Sequence, residues 1–592
     1  MTLTTLTSQF TLVIFIELNR HIKQYLSKTQ MTKTYTYGSL ILLLISILTL
    51  TSLTFWNNQD DQPNAGLTTP QGFKAVKLVE GLGKVRHLIV TPKGNIYARL
   101  AKPVNGQGTL LLEENNGKAI VKSGFGNYGG TGVQLYKGYL YVSSNSEIFR
   151  YKVDANQQVI NPDAPETIVT GLVDKGTHET KSIMMDNAGN MYIPIGCPSN
   201  SCQIEDRKKG SLGQPGCPLL ETSGGVWQFK PDKLNQTYAD GIRYATGLRN
   251  VVAVDWNKQT KQLYVMQHGR DQLNNLFPNL YDSKDNAELP AECMYALKKG
   301  DNAGWPFIYY DPAQQKKILA PEYGGDGKKE GNPEYIDPVA AYPAHMAPND
   351  ILFYTGHQFP ERYKNGAFIA FHGSWNRGPE PQAGYFVVFQ PFKNGKPFGK
   401  WEVFADGFSG SQEKTASGRA DHRPCGLAQS ADGSLYVSDD SKGAIYKITY
   451  SKEAESKPIT SASTASTKTT ESEKSAREIP AAMRESYTAG KAVYNQNCVV
   501  CHQADGGGVQ NLNAPLTKTD YVLGSKSRLI NIILSGMKGI DINGEKYSNV
   551  MPSHSFLSDK QIADVLTYVR NSFDNNASAV STSEVTAVRK GK

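Results

Sequence analysis

The chain has 592 residues, 39% hydrophobic and 20% charged, so it is too long for a single core and is mostly globular. Its net charge is +8 and no basic cluster is interleaved with aromatics, which argues against nucleic acid as a partner. Glycine (55) and tyrosine (31) are plentiful, which favours a β-rich, turn-rich architecture over a helical one.

Residues 1–57 read as a cytoplasmic N-terminus and an anchor. The run from Ser39 to Trp56 is uncharged and apolar, about the length needed to cross a bilayer. Arg20, Lys23, Lys28 and Lys33 precede it, and Asp60 and Asp61 follow, so the charge bias leaves the start of the chain inside and everything after residue 57 outside. Met31 is an alternative start. No small-residue cleavage site follows the run, so an uncleaved inner-membrane anchor with a periplasmic body is expected.

Over 68–450 one short pattern returns six times, as KGNIYARL (93–100), KGYLYVSS (137–144), AGNMYIPIG (188–196), KQLYVMQHG (261–269), NGAFIAFHG (365–373) and DGSLYVSD (432–439). Each starts near a glycine turn and continues as alternating β-formers. Six irregularly spaced copies over such a length suggest radially repeated antiparallel sheets, a six-bladed β-propeller, rather than one sandwich.

The chain holds seven cysteines. Cys197 and Cys202, in GCPSNSC, are close enough for a small loop bridge; the pairing among Cys217, Cys293 and Cys425 is not readable.

Residues 451–478 form a Ser/Thr-rich linker: 12 of the residues in 451–475 are Ser or Thr and none is aromatic. Such a stretch buries too little apolar surface to order itself and reads as a flexible tether. Residues 479–575 then read as a small all-α domain, in which Ser558 opens a capping box with Gln561 and Ile562, Val565, Leu566 and Val569 form one stripe. Residues 576–592 read as a disordered tail.

Cys498-Val499-Val500-Cys501-His502 is the c-type haem attachment pattern, in which two thiols add to the vinyl groups and the histidine binds iron. No second ligand pair with zinc spacing follows, and no βαβ context supports a redox C-x-x-C. Met551, in NVMPSH, is the expected sixth ligand, because a thioether raises the potential of an electron carrier; Met537 and His554 compete for that place. A haem moves one electron at a time, so a substrate-oxidising partner domain needs a second, two-electron cofactor.

Segments THETKSIMMDNAGNMYIPIG (177–196), ATGLRNVVAVDW (245–256), GDNAGWPFIYYD (300–311), LFYTGHQFPERYKNGAFIAFHGSWNRG (352–378) and HRPCGLAQSADGSLYVSDD (422–440) resemble the soluble PQQ-dependent sugar dehydrogenases, in particular the sorbosone dehydrogenase and pyranose dehydrogenase branch. The resemblance implies a six-bladed propeller carrying PQQ and calcium over its central channel, fused here to a class I cytochrome c. It implies His178 as the base that takes the substrate hydroxyl proton, Arg249 and Asn250 as quinone contacts, and Arg423 as a clamp on the PQQ carboxylates. Gly269 and Arg270 would offer backbone carbonyls to calcium. Asn376 and Arg377 are further PQQ contacts by this resemblance, at a place where glucose-type members carry a lysine, and Cys425 replaces a second PQQ-binding arginine, so glucose is not the expected substrate.

The expectation is a quinohaemoprotein that oxidises a sugar, aldehyde or polyol and passes electrons through the haem to a soluble cytochrome or membrane oxidase. A carbohydrate-binding or docking propeller without PQQ, attached to a cytochrome, is the alternative; a haem-only carrier with a structural propeller is a third reading.

Overall fold

The computed structural model describes residues 63–452 and 479–591, apart from 504–505, 509–512, 540, 543–544 and 548–549. The chain divides into two compact units, Met1–Ala65 and Gly66–Lys592, and only the second is described below. The apolar run 39–56 and nearly all of the linker lie outside the described residues. Among the described residues no helix is long and apolar enough to cross a membrane.

Six sheets of four or five strands form the blades of a propeller. Their innermost strands are Val85–Val90, Val133–Tyr136, Met184–Met185, Val251–Asn257, Pro348–Phe353 and Pro424–Gln429. Each of the six sequence repeats supplies the second strand of one blade: Ile96–Val104, Tyr139–Ser143, Met191–Ile195, Gln262–Gln267, Ala367–Phe371 and Leu435–Asp439. These strands do not alternate in burial as strictly as a half-exposed strand does. Met191–Ile195, Ala367–Phe371 and Leu435–Asp439 are buried at every position, because blades packed face to face leave neither side of the sheet in water. The sixth blade is completed by Phe73–Val79, which pairs antiparallel with Ile445–Tyr450.

The repeat spacing is irregular because long excursions leave the blades. One, between Met191–Ile195 and Gly225–Phe229, carries a disulfide that differs from the expected one: Cys202 is bonded to Cys217, and Cys197 is a buried free thiol. A bridge between Gln203 and Gly213, with the Gln214 amide donating to the Cys202 carbonyl at 2.8 Å, folds the loop back and brings Cys217 to Cys202. Sequence proximity of Cys197 could not show this fold-back.

The C-terminal domain is helical, with main helices Arg484–Asn497, Lys526–Ser535 and Asp559–Asn571. The expected capping box at Ser558 and Gln561 is present, and Ile562, Val565, Leu566 and Val569 are all buried. Helices 484–497 and 559–571 cross in close contact at Gly490, where a Cβ would lie 2.0 Å from the Asp564 carbonyl oxygen. The tail differs from expectation: Thr582–Lys590 is a helix. Ser581 and Glu584 cap it, Val585 is buried, and Arg589 reaches Asp559 at 2.6 Å, so local capping and two-sided pairing order a segment with little apolar surface.

Candidate active site and haem-attachment region

Loops leading into the innermost strands and leaving the second strands meet at one end of the ring. There they enclose a cavity of about 810 Å³. His178 and Arg249 come from the first kind of loop, and Gly269, His372 and Asp440 from the second.

His178 sits in the left-handed region (φ 52) on the loop ahead of the third blade. Its Nδ1 lies 2.5 Å from the Cys197 carbonyl oxygen, so Nδ1 carries the hydrogen and donates it, and the ring lone pair is on Nε2. Burial and then the Arg249 charge hold this imidazole well below its ordinary pKa, so it is neutral at physiological pH. Gly196 is required beside it, since a Cβ there would come within 2.5 Å of the His178 carbonyl oxygen.

Arg249 is buried at 3% exposure. It donates to Asp271 Oδ2 at 2.7 Å, to the Gly269 carbonyl at 2.8 Å and to the Asn200 carbonyl at 3.1 Å. Asp271 is a hub that sequence reading missed: it also accepts from Asn376 Nδ2 at 2.5 Å and pairs with Arg207 at 3.3 Å. Burial alone would raise its carboxyl, but Arg249 and Arg207 hold it well below the usual carboxylate range. A second missed chain links Arg86, Asp440 and His372 through contacts of 2.6 Å each. His372 and Asp440 directly follow the repeated strands, and that trailing position was the signal available in the sequence. Glu292, also on the wall, accepts the Gly269 amide at 3.0 Å and is pushed up to about 8 by burial.

The other expected residues divide. Asn250, Asn376, Gly269 and Arg423 line the cavity. Arg423 donates to the Gly418 carbonyl at 2.9 Å and stacks over Tyr385. Arg377 and Arg270 do not line it. Arg377 turns away to donate to the carbonyls of Ala287 and Pro381, and Arg270 is locked in a buried pair with Glu322.

The cavity fits a tricarboxylate quinone. Its wall carries seven lysine and arginine side chains against four acidic ones, of which Glu292 is kept protonated by burial, so positive charge is in excess. Asn250 Oδ1 and Thr180 Oγ1 are buried in that wall without a hydrogen-bond partner, which suits an added polar ligand. At the expected calcium position the Gly269 carbonyl accepts from the Arg249 guanidinium at 2.8 Å.

In the helical domain Cys498 and Cys501 are free thiols, and His502 donates through Nδ1 to the Ala514 carbonyl at 2.8 Å, which leaves Nε2 for iron. These three groups fit a covalent haem. Met551 packs against the domain's core and forms a two-bond bridge with Met537, at 3.0 and 2.9 Å. His554, the other competitor, places Nδ1 2.9 Å from the Pro552 carbonyl. The domain stands at the cavity mouth: Gly507, Gly508 and Tyr547 line the same cavity as His178, and Gln503 Nε2 donates to the Trp375 carbonyl.

The family description "TrAA12-like" matches residues 67–311 and 312–451, and "Cytochrome c" matches 487–573. A pyrroloquinoline quinone-dependent pyranose dehydrogenase of Coprinopsis cinerea is 22% identical over 65% of this chain, which spans 55% of that protein. The solved PQQ domain of pyranose dehydrogenase from the same fungus superposes with a TM-score of 0.52 at 20% identity, covering 66% of this chain and 99% of that one. The cytochrome c subunit of a quinone alcohol dehydrogenase from Gluconobacter oxydans is 34% identical over 17% of this chain and 22% of that subunit. The chain belongs to the TrAA12-like family, with a PQQ-dependent pyranose dehydrogenase-like propeller followed by a cytochrome c domain.

Proposed function

We propose that this protein oxidises an aldose, or a related aldehyde or polyol such as a sorbosone-like sugar, and delivers the electrons through its cytochrome to a respiratory acceptor. A bound PQQ supplies the two-electron oxidant and the haem of the cytochrome a one-electron carrier. His178 Nε2 takes the substrate hydroxyl proton, a role suited to an imidazole kept neutral by burial. The positive wall, with Arg249 and Arg423, holds carboxylates, and Asp271 fixes Arg249 in place. Cys498, Cys501 and His502 hold the haem, with Met551 as the expected sixth ligand. The apolar run 39–56 and its basic flank support anchoring in the inner membrane with the catalytic body in the periplasm.

The observation that carries this reading is His178, hydrogen-bonded to the Cys197 carbonyl in a cavity whose lysines and arginines outnumber its acidic groups, beneath a haem-attachment domain. The test is to load the protein with PQQ and follow haem absorbance while aldoses and aldehydes are added. Reduction by at least one sugar is expected. No reduction across a broad panel would replace this reading with that of a carbohydrate-binding module.

A further inference from the structure

The cytochrome's role in the cavity wall goes beyond electron transfer. Gln503, directly after the haem-binding histidine, is 4% exposed and has a left-handed backbone (φ 66). Tyr494 Oη donates to its carbonyl at 2.6 Å, so the helix 484–497 fixes where it stands. Its side chain crosses to the propeller, where Nε2 donates to the Trp375 carbonyl and Oε1 lies 3.5 Å from the place a Cβ would occupy on Gly418. Val499 backs onto the same loop, 3.4 Å from a Cβ built on Gly378. Trp375 itself lines the cavity.

The chain after Gln503 then enters the wall. Gly508 has a left-handed backbone (φ 67), and a Cβ there would lie 2.4 Å from the Asn513 carbonyl, so only glycine lets this turn lie flat. With Gly507 and Tyr547 it faces the space that His178 also faces.

We infer that Gln503 is the latch that seats the cytochrome on the propeller, and that the seated domain is a lid that restricts the cavity to small, free sugars over the ends of long saccharide chains. The latch stands on the contacts alone; the size restriction rests on the oxidoreductase reading above. The Gly507–Gly508 turn and Tyr547 fill part of the wall past which a long chain bound at His178 would extend. Such chains therefore react more slowly while the domain is seated.

The test uses the full haem-loaded, PQQ-loaded chain and two variants, Gln503→Glu, which sets an oxygen against the Trp375 carbonyl, and Gln503→Ala. An unchanged haem spectrum checks that the cytochrome remains folded. Hydrogen exchange in the 375–378 loop is expected to speed up by about tenfold in both variants, the effect of losing one buried hydrogen bond. The rate on a long oligosaccharide relative to a monosaccharide, read with a small dye as acceptor, should rise several-fold. Unchanged exchange overturns the latch. Faster exchange with an unchanged size ratio overturns the lid. If no sugar of any size is oxidised, the oxidoreductase reading and the size restriction fall together, and exchange alone decides the latch.

Discussion

The Cys197 carbonyl oxygen lies 2.5 Å from His178 Nδ1, and the Cys197 amide donates to the Arg249 carbonyl at 2.8 Å. The Cys197 backbone therefore sets the tautomer of the proposed base and ties it to the loop that carries Arg249.

Replacing His178 with alanine should slow haem reduction by sugar by about 10²–10⁴-fold, the usual contribution of a general base. Reduction of the haem by dithionite should stay normal, and stopped-flow absorbance separates the two. Because burial and Arg249 hold the imidazole well below its ordinary value, the wild-type rate should keep its plateau below pH 6.5 and fall only in stronger acid, as Nε2 is protonated.

Arg249→Met should destabilise the propeller by about 3 kcal/mol, since it removes the nearest cation from the buried Asp271 carboxylate and leaves it only Arg207 at 3.3 Å. Adding Asp271→Asn should recover part of that loss. Urea unfolding of the single and double variants measures both.

Glu292 gives a stability change with pH of defined sign. Its folded-state value is raised from 4.5 to about 8, so the folded chain holds a proton that the unfolded chain has lost over that window. Stability falls as pH rises from 4.5 to 8, by up to about 1.4 kcal/mol per pH unit, and then levels off. Glu292→Gln should remove this loss, so its stability relative to wild type should increase between pH 5 and pH 8 in urea titrations.

Gly490→Ala should unseat the crossing of helices 484–497 and 559–571. The obstacle is the Asp564 carbonyl, which is backbone and cannot swing aside. A loss of about 1–3 kcal/mol is expected, seen as a lower melting temperature of the haem signal with the propeller transition unchanged.

The six blades were legible because each second strand repeats a glycine turn followed by β-formers, a local signal that survives long excursions. The haem thiols, His502 and the Ser558 cap were legible for the same reason: their spacing is the chemistry. What the sequence concealed depends on chain reversal. Cys217 reaches Cys202 only through the Gln203–Gly213 bridge, and Asp271 meets Asn376 across 105 positions. Arg377 sits beside the wall residue Asn376 but turns to the carbonyls of Ala287 and Pro381, so a one-residue ambiguity decides between cavity and carbonyl cap. The tail helix was concealed by its weak apolar content, although Ser581 and Glu584 repeat the signature already recognised at Ser558 and Gln561.

The pairing of Phe73–Val79 with Ile445–Tyr450 governs how this molecule can come together. Phe73 plugs into rings of Phe359, Tyr363 and Phe404 from the neighbouring blade, with centroids 4.8 to 5.3 Å apart, and meets Tyr450 at 5.0 Å. The earliest strand must thus wait for some of the last before its aromatic plug finds a socket. During synthesis five blades can stack in turn while the ring gapes. Such a distant partnership makes the final step slow, and the cavity, whose wall draws on Arg86 and Asp440 from either side of that seam, matures only when it shuts.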